Sequence, residues 1–173
     1  VGDPRKLKRK YETPRQLFSK ERIEEEQKLM ADYGLKNIRE VWVAMRELKR
    51  IRREARRLIP LGERGSEERK KILTRANKLG FVKGDATLED LLTLTICDIL
   101  ERRLQTRVVR NGLARTMKQS RQLITHGFIS VGGSMVSVPS YIVPLDEDKM
   151  LSYYKEIDIG MTTGAREGSE EKK

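Results

Sequence analysis

A single cysteine, Cys97, stands in this chain. It rules out an intramolecular disulfide or a cysteine-based zinc cluster, and its place in an apolar run assigns it to helix packing. Histidine is equally scarce, with His126 alone. Neither a histidine pair for a metal nor a histidine-centred triad with a spare base is available. No run approaches the about 18 consecutive apolar residues that a membrane-spanning helix needs. The opening VGDPRKLKRKYETPRQ has a basic region without the apolar core of a signal peptide. Gly132-Gly133 lacks the Gly-Lys-Ser/Thr ending and following helix of a phosphate loop. These gaps argue against membrane integration, a secreted disulfide scaffold and catalysis. The chain reads as a cytosolic, non-enzymatic protein with no metal and no cofactor.

What is abundant is positive charge. Lysine and arginine number 37 against 26 acidic residues, giving a net charge of +11 and a pI near 9.9. Such a balance points to nucleic acid or an anionic membrane surface as partner, and the missing apolar segments disfavour the membrane. A hydrophobic content of 37% over 173 residues supports one or two small domains with cores of their own. The charge is unevenly placed. From Arg102 to Val143, RRLQTRVVRNGLARTMKQSRQLITHGFISVGGSMVSVPSYIV, there are six arginines, one lysine and no carboxylate. Elsewhere the signs interleave, so this stretch reads as a surface kept favourable for a polyanion.

Local signals order that stretch. Thr116 with Gln119 can form a capping box opening a helix that Gly127 closes. Met117, Ser120, Leu123 and Ile124 share one helical face, and Lys118, Gln122 and Thr125 another. One face packs and the other meets a partner. Phe128, Ile129 and Val131, then Met135, Val136 and Val138, flank Gly132-Gly133 as two strands of a hairpin whose turn needs positive φ, and Pro139 ends the second. Upstream, Thr95 with Asp98 caps a helix expected to run unbroken through Ile99, Leu100, Leu104 and Val108 to Asn111, with Gly112 as its left-handed stop. The order is helix, tight turn, helix, hairpin.

The remainder divides into four regions. Residues 1–18 form a basic extended arm with Arg5, Lys6, Lys8, Arg9 and Lys10, whose Tyr11 and Phe18 offer flat surfaces for bases. Residues 19–94 are a helical domain. Its first helix spans about Lys20 to Tyr33, capped by Ser19, with Ile23, Gln27, Met30 and Tyr33 inward and Glu24, Glu25 and Glu26 outward. Its second starts at Asn37 and Glu40, buries Ile38, Val41, Met45, Leu48, Ala55 and Leu58, and stops at Pro60 and Gly62. The opposite face carries Arg46, Lys49, Arg50, Arg52, Arg53, Arg56 and Arg57 against only Glu47 and Glu54, too one-sided for a solvated face stabilised by i,i+4 pairs. Trp42 reads as core. A third helix spans Ser66 to Gly80 with Ile72, Ala76 and Leu79 inward, Phe81 to Ala86 is a loop, and Thr87 with Asp90 opens a short helix that packs the helical domain against the next unit. That unit, 95–143, reads as an RNA-binding module. Residues 144–160 begin with Asp146, Glu147 and Asp148 and supply one more strand, and 161–173 read as a disordered tail.

The run from Glu101 to Val143, with RRL, VVRNGLAR, SRQLITHG, ISVGG and VPSYIV, resembles the RNA-binding module named after the fourth protein of the small ribosomal subunit. It departs from many members in having Gly132-Gly133 where Asn-Gly is common and Phe128 where a second histidine stands. With GDPRKLKRKYETP, YGLKNIREVW and RREARRLI the resemblance spans nearly the whole chain and looks like the archaeal branch of that ribosomal protein family. The N-terminal cysteine motif of many bacterial members is missing, so zinc is not expected. The fold expected is α+β, a mainly helical N-terminal region followed by a small helix-helix-hairpin module. The resemblance implies a primary binder of small-subunit ribosomal RNA at a helical junction in its 5′ domain, one that nucleates subunit assembly. It also implies a seat on the cytoplasmic ribosome beside small-subunit protein five and messenger RNA, where the messenger enters. The residues expected to touch RNA are Arg107, Arg110, Arg115, Lys118, Arg121, Gln122 and His126 in the module, Arg46, Lys49, Arg50, Arg53 and Arg57 on the second helix, and the arm; Arg121 could instead turn inward to brace the hairpin. Two other readings stay open: a free RNA chaperone or stress factor using the same module, and a DNA-binding helix-turn-helix protein.

Overall fold

The computed structural model describes residues 10–16, 18–82, 84 and 86–155. Arg5, Lys6, Lys8 and Arg9, and the expected tail, lie outside them. Four helices build the first half: α1 Lys20–Asp32, α2 Ile38–Leu58, α3 Ser66–Lys78 and α4 Leu88–Thr93, with a 3-10 turn at Gly62–Gly65. Next come α5 Ile96–Glu101, α6 Leu104–Arg110 and α7 Met117–Thr125, then β1 Ile129–Val131, β2 Ser134–Met135, α8 Leu145–Asp148 and β3 Leu151–Tyr153. The three strands form one antiparallel sheet in the order β2-β1-β3, with Ser130 opposite both Met135 and Ser152. The architecture is α+β, as expected. Among the described residues no helix is long and apolar enough to cross a membrane.

Two apolar cores organise these elements. The first gathers Leu35, Val41, Ala44, Leu48, Ala55 and Leu58 around α2 with Ala76, Phe81, Leu88, Leu91, Leu94, Ile99 and Leu100. The second gathers Leu104, Val108, Ala114, Leu123, Ile124, Ile129, Val131 and Val143. The chain passes from one to the other at Glu101–Arg103.

At that crossing the expected long helix is broken. Arg103 adopts an extended conformation, φ −71° and ψ 144°, and pairs as an isolated antiparallel bridge with Ile142. Leu104 N–H donates to Tyr141 O at 2.7 Å and Val143 N–H to Arg102 O at 2.9 Å, so the segment after the hairpin takes backbone groups that a continuous helix would have used. The helical signal was local, and the interruption comes from residues about 40 positions on.

Several local signals hold. Asp90 accepts from Thr87 N–H and Asp98 from Thr95 N–H, both at 2.7 Å, at the starts of α4 and α5. Gly132 and Gly133, at φ +56° and +82°, supply the two positive φ angles of a two-residue hairpin turn. Other expectations are corrected. Glu26 faces inward, almost fully buried, where it accepts Arg22 Nη1 at 2.8 and 2.9 Å and Trp42 Nε1 at 3.0 Å; Gln27 is exposed instead. Trp42 is half-buried, with the Tyr11 ring 5.8 Å away. Ser19 and Asn37 precede α1 and α2 without a side-chain capping bond. Gln119 reaches back to Arg115 N–H at 2.9 Å while its own N–H donates to the Thr116 hydroxyl at 3.2 Å, so the bond expected to Thr116 N–H shifts by one residue. The second strand is Ser134–Met135 alone, with Val136 and Val138 beyond it.

Candidate nucleic-acid interface

α7 is the element around which a polyanion site can be built. Its buried side is Ser120, Leu123 and Ile124; Lys118, Gln122 and Thr125 are exposed. Ser120 is small and polar because it sits against α6, where its hydroxyl donates to Gln105 O at 2.7 Å. The exposed side of α7 faces the end of α1 and the turn leading to α2. Between them lies a groove of about 500 Å³ lined by Met30, Ala31, Gly34, Leu35, Lys36, Lys118, Arg121, Gln122 and Thr125. Lys118, Arg121 and Gln122 are thus brought together, joined by Lys36, which the sequence reading missed. Nothing in YGLKN marks its lysine apart from other surface lysines until the turn is placed opposite α7.

The acid-free stretch is not acid-free in space. Five of its six arginines form ion pairs with carboxylates from outside it: Arg102 and Arg107 with Asp148, Arg103 and Arg121 with Glu40, and Arg110 with Glu101. Burial works to raise the Asp148 carboxyl, but the bonds from Arg107 and Arg102 hold it below the ordinary carboxylate range. Glu40 is depressed against the same burial by Arg121 and Arg103. Glu101 is lowered chiefly by the hydrogen bond from Arg110. Arg121 is therefore turned partly inward, though its partner is Glu40 on α2 and not the hairpin that the sequence suggested.

The other expected residues are scattered around this centre. Arg115 is exposed just before α7. His126 is the exposed C-cap of α7, its ring 6.5 Å from that of Phe128. Lys10 is exposed as well. On α2, Arg46, Lys49, Arg50, Arg53 and Arg57 are all exposed. A second groove of about 410 Å³ is lined there by Arg53, Glu54, Arg57, Glu68, Lys71 and Ile72. Surface pairs share that face: Arg50 with Glu47 at 2.9 Å, Arg57 with Glu68 at 2.8 Å and Lys49 with Glu12 at 3.9 Å. Exposed pairs of this kind contribute about 0–1 kcal/mol and yield readily to a phosphate. Arg52, counted with this face in the sequence, instead donates to Leu94 O and ties α2 to the end of α4. Among the described residues no group of three or more His, Cys, Asp or Glu side chains could hold a metal ion.

The arrangement offers what sequence-tolerant RNA contact needs: cations and an amide donor on an exposed helix face, set across a groove from Lys36. The family model of the S4 domain matches residues 102–148, which covers α6, α7, the hairpin and α8. Over 154 residues the chain is 47% identical to the small ribosomal subunit protein uS4 of Ignicoccus hospitalis, spanning 88% of this chain and 93% of the relative. It is 46% identical over 157 residues to the uS4 protein of Saccharolobus solfataricus, covering 89% and 86% of the two chains. With the uS4 protein of Methanosphaerula palustris it shares 44% identity over 160 residues, 89% and 88%. Identity at this level over almost the full length of each relative reaches well past the S4 domain into the helical half, and on that ground the chain belongs to the uS4 family of small-ribosomal-subunit proteins.

Proposed function

We propose that this protein is a structural component of the small ribosomal subunit that binds small-subunit ribosomal RNA directly. Its finer role, in this reading, is to hold a helical junction in the 5′ domain, to nucleate subunit assembly, and to sit beside small-subunit protein five near the channel through which messenger RNA enters. It works on the cytoplasmic ribosome by positioning and holding, not by catalysis. The observation that carries the reading is the groove between α1 and α7, where Lys36 faces Lys118 and Gln122. The names of the relatives support the same assignment.

Arg115, Lys118, Gln122 and His126 are assigned to phosphate, sugar or base contact from the exposed side of the module, and Arg46, Lys49, Arg50, Arg53 and Arg57 to phosphate contact from α2. Arg107, Arg110 and Arg121 contribute with the guanidinium edge that their carboxylate partners leave open. The basic arm, Arg5 to Lys10, adds to the electrostatic footprint. A helical region, 19–94, and a module, 95–143, grip one folded RNA between them. Because A-form RNA hides its base edges, recognition rests on shape and on unpaired bases.

The test is binding of the full chain to a 5′-domain junction RNA across a salt series, with duplex DNA as competitor. With ~5 to 10 phosphate contacts, the logarithmic plot of affinity against salt has a slope of several units. A slope near zero refutes the electrostatic account, and preference for duplex DNA refutes the RNA reading. Cosedimentation with small subunits through a high-salt wash separates a resident ribosomal protein from a free RNA chaperone.

A further inference from the structure

Next to the α1–α7 groove, and joined to it through Arg121, lies a polar seam between the two cores. Glu40, on the first turn of α2, accepts Arg103 Nη2 at 2.5 Å, Arg121 Nη2 at 2.8 Å and Arg121 Nη1 at 3.3 Å. The Arg103 side chain is 7% exposed and those of Glu40 and Arg121 are 20% and 25% exposed, so the triad is largely withdrawn from water. Beside it Gln105, almost fully buried on α6, points its Nε2 at three carbonyls, Tyr33 at 3.2 Å, Gly34 at 3.1 Å and Met117 at 2.9 Å. One amide thus joins the end of α1 to the start of α7. At the same place Gly34 has φ +57°, and a Cβ there would lie 2.6 Å from Met117 Cβ.

We infer that Glu40 is a positioning residue for RNA binding. By holding Arg103 and Arg121 together it fixes the angle between the two halves, so that Lys36 on one wall and Lys118 and Gln122 on the other meet a single RNA segment. The inference rests on the function proposed above and adds to it an acidic residue that strengthens the binding of a polyanion.

Charge alone argues for the opposite sign. Glu40 bonds directly to Arg121, which lines the groove. A phosphate bound to Arg121 would therefore lie within the Debye length of about 8 Å of the Glu40 carboxylate. Replacing it by a neutral residue removes a repulsion and frees two guanidiniums, which should tighten binding and steepen the salt slope. Positioning predicts weaker binding with the slope unchanged. If loss of the triad leaves about one molecule in ten with the halves correctly set, the apparent Kd rises about tenfold while the phosphate contacts of the bound state stay the same.

The experiment compares full-length wild type, Glu40→Gln and Glu40→Asp for binding to the 5′-domain junction RNA across a salt series, with a thermal melt of each. The expected result is an about tenfold loss for Glu40→Gln at unchanged slope, with most of it recovered in Glu40→Asp, which keeps an anion between the guanidiniums. Binding by Glu40→Gln equal to or tighter than wild type overturns the inference, and so does an equal loss in both variants. If Glu40→Gln does not melt cooperatively, Arg103→Met decides. It removes one of the two guanidiniums that Glu40 holds and leaves every groove-lining residue in place, so weaker binding at the same slope supports the inference and unchanged affinity overturns it. Absence of wild-type binding refutes the proposed function and this inference with it. Wild-type binding combined with a wild-type-like Glu40→Gln refutes this inference alone.

Discussion

Asp148→Asn is the substitution whose cost can be worked most directly from the geometry. The carboxylate accepts Arg107 Nε at 2.8 Å and Nη2 at 2.6 Å, and Arg102 Nη1 at 3.2 Å. Asparagine keeps the shape but leaves two guanidiniums facing a neutral amide. Removing one partner from a fully buried ion pair costs about 3–5 kcal/mol. Here the cost is smaller, because the Arg107 side chain is 23% exposed and can turn to water, and Arg102 keeps its 2.6 Å bond to Val143 O. A loss of about 2–3 kcal/mol follows, which for a chain of this size lowers Tm by roughly 5–10 °C. The assay is calorimetry of the RNA-free full-length protein at neutral pH and then at falling pH. Asp148 is held below its ordinary range in the folded state. Its stabilisation is therefore fully present above the unfolded pKa, about 3.9, and is lost as pH falls through the folded value. The gap between wild type and Asp148→Asn should close in acid. A variant within about 1 °C of wild type at neutral pH, or a gap that widens as pH falls, would refute the reasoning.

Two further outcomes follow from the same structure. Arg50→Ala combined with Arg53→Ala should weaken binding to junction RNA without lowering Tm, because both side chains are exposed and the Arg50–Glu47 pair is a surface pair; a destabilised double variant would make that face structural. Gly34→Ala should destabilise by more than about 1 kcal/mol, since it meets both a left-handed backbone and Met117 Cβ at 2.6 Å. A thermal melt matching wild type would show that the seam yields more easily than its spacing implies.

What the sequence made legible was decided within a turn or two of chain. Thr87 with Asp90, Thr95 with Asp98, the exposed face of α7 and the double-glycine hairpin each depend on residues no more than a few positions apart, and each stands in the structure. The misreadings have distant causes. Glu26 looked like one of three solvated acids; besides the local bond from Arg22, it is held inside by Trp42, one turn into the next helix. The helix through Leu104 breaks because Tyr141 and Val143 claim its backbone groups. Glu40 lies 63 and 81 residues from its arginines, so a count of charge along the chain cannot show that they are paired. The cationic character of the module was therefore overstated by its sequence, while the groove that combines Lys36 with Lys118 could not be read at all.

The ion pairs also fix an order of events during synthesis. Asp148 follows Arg107 by 41 residues, and β3, which completes the sheet, comes later still. At a synthesis rate of about 5–20 residues per second, Arg107 waits roughly two to eight seconds for its carboxylate after it is made. Glu40 waits longer for Arg103 and Arg121, standing meanwhile as an unmatched acid on a helix whose own apolar stripe can already fold. The emerging chain thus passes through a stage in which its arginines are more available to anions than they are in the finished protein, and that availability closes as β3 is laid down.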